Sequence, residues 1–217
     1  MSGVLSNSIR RYFPNIDTEK LCRGAIDWER HRVDTLRNKT LIAAAAILKT
    51  HGQANLSLKD IARHANVGIA SIYYYFQSKD DLLISLAMLG FEDLRRDMLQ
   101  FQTVAEYGSP MTQVIQAHMI FIEDRPELLS LMFSERLMAR SEALRNAEQA
   151  AFEVYRTAIE ADELFDRPYR TSAARALWTL GRGIAGTAAS HPDGRMPQEI
   201  YDSLIEGASY LISREVN

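Results

Sequence analysis

Cysteine is almost absent from this chain of 217 residues, and long apolar runs are absent altogether. Cys22 is the one cysteine, which excludes an internal disulfide and favours a reducing compartment. No window approaches the roughly 18 to 20 apolar residues of a membrane span. The first fifteen residues also lack the sustained apolar run of a signal peptide. These absences predict a cytoplasmic protein without a membrane partner.

The motifs of common enzyme classes are missing as well. None of the five histidines follows a glutamate by three positions, so the Glu-x-x-His pairs of a carboxylate-bridged metal site are lacking. The sequence has no phosphate-cradling glycine loop, no cysteine cluster and no Gly-x-Ser-x-Gly. A β pattern of any length is also missing. We therefore expect an all-α protein that is not an enzyme, with no catalytic residue, metal or cofactor.

The most informative segment is SLKDIARHANVGIASIYYYFQSKDDL, residues 57–82. Ser57 and Asp60 form a capping-box pattern that predicts the start of a helix. The turn Asn66-Val67-Gly68 ends that helix, because Asn and Gly tolerate positive φ. A second helix is predicted over 69–76, and Ser78 is the N-cap of a third. Two short helices joined by a tight turn are typical of a helix-turn-helix, although they also occur as an ordinary hairpin in an all-α core.

Charge is distributed unevenly along the chain. Residues 1–80 hold 12 Lys and Arg against 7 Asp and Glu, whereas residues 81–217 hold 13 against 21. The first part is therefore at +5 and the second at −8, although the whole chain is at only −3. A basic end that coincides with the candidate helix-turn-helix favours a polyanionic partner.

The segment resembles the DNA-binding domain of the TetR (tetracycline-repressor-like) family of bacterial regulators. The matching positions run in register without a gap: Ser57, Ile61, Ala62, Ala65, Val67, Ile72, Tyr73, Tyr75, Phe76, Ser78, Lys79, Asp80 and Leu82. Upstream, residues 41–52 resemble the first helix of the family, which usually ends in a glycine. Asn66, Gly68 and Ala70 replace the usual Gly, Ser and Gly, so the usual cap of the recognition helix is lost.

The resemblance implies how duplex DNA would be bound. Tyr73 and Lys79 would contact phosphates, and Thr40 and Ser57 are weaker candidates for the same role. The base edges would be read by Ile69, Ala70, Ser71 and Tyr74, while Tyr75 would only pack. None of these base-reading residues is charged, so the bidentate contact of Arg or Lys with guanine is missing. We therefore expect an operator with T/A steps beneath Ile69, Ala70 and Tyr74.

Turn signals divide the chain into three regions. Residues 1–33 are an N-terminal extension, which is either a basic arm on phosphates or a packed or disordered segment. Residues 34–82 are the DNA-binding domain, and residues 83–217 are a helical ligand-binding and dimerisation domain. After Ser78 the pattern is helical almost throughout. Helices are predicted over 79–104, from Pro110, after Asp124-Arg125-Pro126, and over 141–164, 171–190 and 197–213.

The C-terminal region resembles the branch of the family that carries a Trp-x-x-x-His-Gly signature. Trp178 and Gly183 match it, with Arg182 in place of the histidine, and residues 125–137 resemble the Pro-Glu-Leu helix of that branch. The family implies a homodimer through the last two long helices, and small residues over 181–189 suit a close helix approach. Tight packing inside one subunit explains them equally well. Two copies would read a palindrome.

The family also implies a small, largely apolar effector within the bundle. Methionine and aromatic side chains build adaptable apolar sites, although most such residues are simply core. The candidate lining residues are Met88, Phe91, Met119, Phe133, Phe152, Tyr155 and Trp178. His118 is either a polar handle for that ligand or a core histidine. The expected function is a regulator, and more specifically a repressor, that the effector releases from DNA. The alternative is a helical protein–protein adaptor without DNA binding.

Overall fold

The computed structural model describes residues 35–53, 55–104, 109–162 and 170–189, together with positions 197, 199, 200 and 203. Within these ranges the chain forms helices and turns and no strand. The predicted N-terminal extension lies outside the described residues, and so does most of the predicted helix over 197–213. No described helix is both long enough and apolar enough to span a membrane.

Nine helices follow one another in the described part of the chain. They are α1 (Leu36–His51), α2 (Leu58–Ala65), α3 (Ile69–Tyr75), α4 (Lys79–Val104), α5 (Pro110–Asp124), α6 (Pro126–Met132), α7 (Glu135–Arg140), α8 (Glu142–Glu160) and α9 (Arg170–Ala189). The predicted all-α class is confirmed, and α4 has the predicted bounds. Pro110 begins α5 and Pro126 begins α6, which is where a residue without an N–H is tolerated in a helix.

Two predicted boundaries differ from the structure. The first helix begins at Leu36 rather than near residue 41, because Thr35 is its N-cap and accepts a hydrogen bond from the Asn38 N–H. The helix predicted over 141–164 begins at Glu142 and ends at Glu160. Beyond it the Asp162 carboxylate accepts a hydrogen bond from the Met111 N–H in the first turn of α5.

The helices pack as two compact units. The first contains the described residues up to Asp93 together with Glu127–Ala151, and the second contains Leu94–Pro126 and the described residues from Phe152 onwards. Packing in the first unit therefore continues past residue 82 into α4, α6 and α7. The functional boundary between residues 82 and 83 stays a prediction.

The core of the first unit contains the apolar faces of α1, α2 and α3, which pack on one another. Leu41, Ala44, Ile61, Ile72 and Phe76 are fully buried there. In the same unit, α4 and α6 approach closely at Gly90. A Cβ at that position would lie 2.6 Å from Sδ of Met132, so only glycine fits without a shift of the methionine.

The core of the second unit is an aromatic cluster around His118 of α5. The imidazole lies 5.2 Å from the Trp178 ring and 5.7 Å from the Tyr155 ring, and Phe152 packs on Trp178. Gly181 of α9 borders the same imidazole, since a Cβ there would come within 2.5 Å of its Cε1. Burial lowers the pKa of His118 to about 4, so the ring is neutral near pH 7.

This buried histidine makes the free energy of unfolding depend on pH. The unfolded chain protonates His118 below about pH 6.5, whereas the folded protein resists protonation down to about pH 4. Stability from the neutral ring is therefore complete above pH 6.5 and is lost as the pH falls towards 4. The loss should be about 3 kcal/mol at 1.36 kcal/mol per pKa unit. Urea unfolding at pH 7 and pH 4.5 measures it.

In the His118→Leu variant this part of the pH dependence should disappear. The exposed His64 provides the control, because His64→Gln should leave the wild-type pH dependence in place. Equal losses of stability in wild type and His118→Leu would contradict the prediction.

Candidate nucleic-acid interface

The helix-turn-helix begins with the cap of α2. Ser57 is the N-cap, and its Oγ accepts a hydrogen bond from the Asp60 N–H at 3.1 Å. The same hydroxyl donates to the Asp60 carboxylate, so the predicted pairing of these two residues is confirmed. The cap holds one end of the helix that supports α3. Ser57 itself is only partly exposed.

The turn between α2 and α3 depends on one left-handed residue. Asn66 has φ 53° and ψ 48° and closes α2, and it is the only non-glycine residue with positive φ in the described ranges. Asn tolerates this conformation better than most residues. The Val67 N–H then bonds to the Ala62 carbonyl at 3.0 Å. The chain is thereby redirected into α3.

Helix α3 begins at Ile69 as predicted. Its N-cap is Gly68, which forms no side-chain capping bond, in agreement with the expected loss of the usual serine cap. The N–H of Ser71 bonds instead to the Gly68 carbonyl at 2.9 Å. The start of α3 is therefore held by backbone contacts and by the burial of Ile72.

Helix α3 presents an uncharged surface of aromatic and small residues. Tyr74 is 82% exposed and Tyr73 53% exposed, while Ile72 and Phe76 are buried on the opposite side. Ile69 and Ala70 are exposed and Ser71 is partly exposed. These are the side chains that the resemblance assigns to DNA, and the structure brings them together on one short helix.

Tyr75 differs from its predicted role as a packing residue. Its side chain is exposed, and its ring meets Tyr74 edge-on with 5.0 Å between the centroids. It therefore packs against another exposed tyrosine and keeps part of its ring in solvent. The sequence pattern could not show this, because it indicates the face of a helix and not a contact between neighbouring rings.

The start of α4 is capped by the side chains of Ser78 and Asp81. The Asp81 N–H donates to Oγ of Ser78 at 3.1 Å, and the Gln77 N–H donates to the Asp81 carboxylate at 3.0 Å. Lys79 is the first residue of this helix and is partly exposed. A cation at a capped helix N-terminus is suited to a phosphate.

Thr40 does not lie where the sequence predicted. It was expected at the start of the first helix, but that helix begins at Leu36, so Thr40 falls in its second turn. Its side chain is 1% exposed, and its hydroxyl donates to the Leu36 carbonyl at 2.7 Å. The hydroxyl is therefore used within the helix, and we leave Thr40 out of the candidate surface.

The predicted effector residues fall in both units. In the first unit Phe91 and Phe133 meet edge-on at 5.3 Å, and Met88 is partly exposed on α4. In the second unit Phe152 and Tyr155 each contact Trp178, and Met119 is buried on α5. No group of side chains that could hold a metal ion occurs in the part of the chain that the structure describes.

Sequence reasoning missed one cluster at the start of α4. Arg136 and Arg140 of α7 both donate to the Asp80 carboxylate, at 2.5 and 2.7 Å. The i,i+4 spacing of the two arginines places them on one helix face. Nothing in the sequence connects that face with a carboxylate 56 residues earlier in the chain.

The comparisons with known proteins agree with this geometry. Residues 41–86 match the family described as bacterial regulatory proteins, tetR family. A curated relative, the HTH-type transcriptional regulator BetI of Agrobacterium fabrum, is 41% identical over 66 residues, which are 30% of this chain and 32% of that protein. The chain thus spans about a third of the length of this relative.

Solved structures extend the likeness to most of the chain. A TetR transcriptional regulator from Legionella pneumophila has a TM-score of 0.59 at 19% identity, over 83% of this chain and 97% of that one. LfrR, a TetR-like transcriptional regulator from Mycobacterium smegmatis solved in complex with proflavine, has a TM-score of 0.56 at 20% identity, over 84% and 99%. Together these matches show that residues 41–86 are similar to the N-terminal helix-turn-helix domain of TetR-family regulators, and that most of the chain shares the all-helical fold of solved regulators of that family.

Proposed function

We propose that the protein is a transcriptional repressor that binds a palindromic operator as a dimer and is released by a small, largely apolar effector. The observation that carries the proposal is the exposed, uncharged face of α3, fixed by the burial of Ile72 and Phe76 within a helix-turn-helix. Buried anchors and exposed tyrosines on one short helix are the arrangement that a major-groove reader needs.

The position and chemistry of each side chain indicate whether it would contact the phosphates or the base edges. Lys79 and the Tyr73 hydroxyl would hold phosphates and set the register, and Ser57 would add a weaker contact. Ile69, Ala70, Ser71 and Tyr74 would meet the base edges. Since no residue of α3 is charged, discrimination would depend on hydroxyl bonds and on apolar contact with thymine methyl groups.

Dimerisation is proposed through α9 and the helix predicted over 197–213. Gly183 and Gly186 of α9 are exposed, and a Cβ at either would meet nothing within 4 Å. Gly181 differs, since its neighbour is His118 of the same chain.

Leucine at both Gly183 and Gly186 should shift the mass measured by light scattering from two chains to one. An unchanged dimer would remove α9 from the interface.

The proposed effector site is the aromatic cluster of the second unit. His118 is 2% exposed, and its Nε2 has no hydrogen-bond partner among the described residues. An unpaired buried polar atom is costly, and a ligand with one polar group in an apolar body would satisfy it. Trp178, Tyr155, Phe152 and Met119 would supply the apolar contacts, while Met88, Phe91 and Phe133 remain predicted lining residues. Membership of the Trp-x-x-x-His-Gly branch also remains a proposal.

Effector control requires unequal affinity for two states of the protein. A ligand that bound the DNA-competent and DNA-free states equally would change nothing. The same coupling free energy must weaken effector binding when operator is present.

DNA binding should weaken steeply as salt is added, because each neutralised phosphate makes the slope of log affinity against log salt more negative by about 0.9. Lys79→Gln should make that slope shallower by about 1 on any duplex. Tyr74→Ala should instead cost about 1–3 kcal/mol on the operator and leave the slope on random duplex unchanged. Fluorescence anisotropy with labelled duplexes from 50 to 200 mM KCl measures both.

Lys49→Gln is the control for Lys79, since Lys49 is an exposed lysine on α1 outside the proposed contact surface. If wild type bound no duplex at low salt, the adaptor alternative would replace the proposal.

Site selection from random duplex DNA should return a palindrome with T/A steps beneath Ile69, Ala70 and Tyr74. The physical reason is that α3 offers methyl and ring surfaces but no bidentate donor for guanine. Replacing Ala70 with arginine should add such a donor and shift the selected base there towards G·C. Invariant G·C pairs selected by the wild-type protein at these steps would contradict the assignment.

Effector binding should release labelled operator and quench Trp178 together. A Trp28→Phe background leaves Trp178 as the one tryptophan, since the chain has two. Planar aromatic compounds that do not bind DNA, with and without a hydrogen-bonding group, are the probes. His118→Phe should weaken release by a compound with a hydrogen-bonding group but not by one that lacks it. Release without any change in Trp178 fluorescence would place the effector elsewhere.

A further inference from the structure

Two arginines and one lysine surround a single carboxylate at the start of α4. Asp80 accepts hydrogen bonds from Nη1 of Arg136 and Nη1 of Arg140 through the same oxygen, Oδ2. Lys79 precedes Asp80 in the chain, and its charge also acts on that carboxylate. All three cations lower the pKa of Asp80, with the hydrogen bond from Arg136 as the largest cause.

The Asp80 carboxylate is largely covered by protein, whereas the two arginine side chains are exposed to solvent. The Asp80 side chain is 19% exposed, whereas Arg136 is 51% and Arg140 62% exposed. Each arginine reaches Asp80 through one nitrogen and keeps about half or more of its side chain in solvent. A guanidinium has five N–H donors, so donors remain for a second anionic partner.

Stabilisation of the fold does not account for this arrangement well. Ion pairs at the protein surface contribute little to stability, and the second arginine adds no second carboxylate. Three cations, Lys79, Arg136 and Arg140, instead act on the one carboxylate of Asp80.

The regular spacing of phosphates along a DNA strand would provide the second anionic partner of the arginines. Phosphates of one strand follow each other about every 3.4 Å along the helix axis. If Lys79 holds one phosphate, a neighbouring phosphate lies within the reach of long side chains attached to the next residue. We propose that Arg136 and Arg140 of α7 form a second phosphate contact beside Lys79, with Asp80 as the positioning residue that holds both guanidiniums.

This inference rests on the proposed DNA binding and extends the interface beyond residues 41–86, which the family match covers. It assigns α7, which lies 49 residues or more beyond that match, to backbone contacts. Phosphate contacts carry no sequence information, so the two arginines would add affinity on every duplex and leave the preferred sequence unchanged.

The test compares two double variants that remove the same charge. Arg136→Gln with Arg140→Gln should make the slope of log affinity against log salt shallower by about 1 to 2, on operator and random duplex alike. Arg95→Gln with Arg156→Gln is the matched control, since both of these arginines lie in the other compact unit. The control should leave the slope unchanged. Equal slopes for the two double variants would overturn the proposal.

Asp80→Asn separates a contact from a purely structural role. It keeps both arginines and a side-chain oxygen that can accept their hydrogen bonds, and it removes the competing negative charge. Affinity for random duplex should therefore rise severalfold, and the dependence of log affinity on log salt should be at least as steep as in wild type. If Asp80→Asn weakened binding as much as the double arginine variant, the arginines would act only by holding α4, and the contact would be refuted.

These measurements distinguish failure of the second phosphate contact from failure of the proposed function. If Lys79→Gln makes the slope shallower and the arginine pair does not, DNA binding stands and the second contact falls. If wild type shows no salt-dependent binding, the proposed function itself falls. Thermal unfolding by circular dichroism establishes that each variant is folded before its affinity is interpreted.

Discussion

The burial of Ile72 and Phe76 is the constraint on which the rest of the nucleic-acid interface depends. These two residues are four apart, and both are almost completely buried in the first unit. A helix of seven residues has little stability of its own, so its orientation comes from packing. With Ile72 fixed inwards, Tyr73 and Tyr74 must point to solvent.

Four consecutive residues at the start of α4 have three different roles. Ser78 and Asp81 cap the helix, Lys79 provides the proposed phosphate contact, and Asp80 binds Arg136 and Arg140. The caps satisfy backbone N–H groups that would otherwise lack partners. A rigid cap also fixes the direction of the adjacent side chains, which matters because a phosphate contact is useful only in one register.

The second unit has a different kind of constraint. His118 is neutral and buried against the rings of Tyr155 and Trp178, and Gly181 is the residue that gives its imidazole space. The Trp-x-x-x-His-Gly signature would place a histidine at position 182, where this chain has an exposed arginine. The histidine that meets Trp178 comes instead from α5.

The sequence by itself determined the all-α class, the helix-turn-helix with its turn at Asn66, and the bounds of α4, because capping residues and helical periodicity act over three to four neighbours. It also identified Tyr73 and Tyr74 as residues of α3 that face outwards. Only the tertiary structure decided that Thr40 is buried, that Tyr75 is exposed, and that Arg136, Arg140 and Asp80 meet. Each of these depends on where a helix truly begins or on contacts between distant segments, and local patterns carry no information about either.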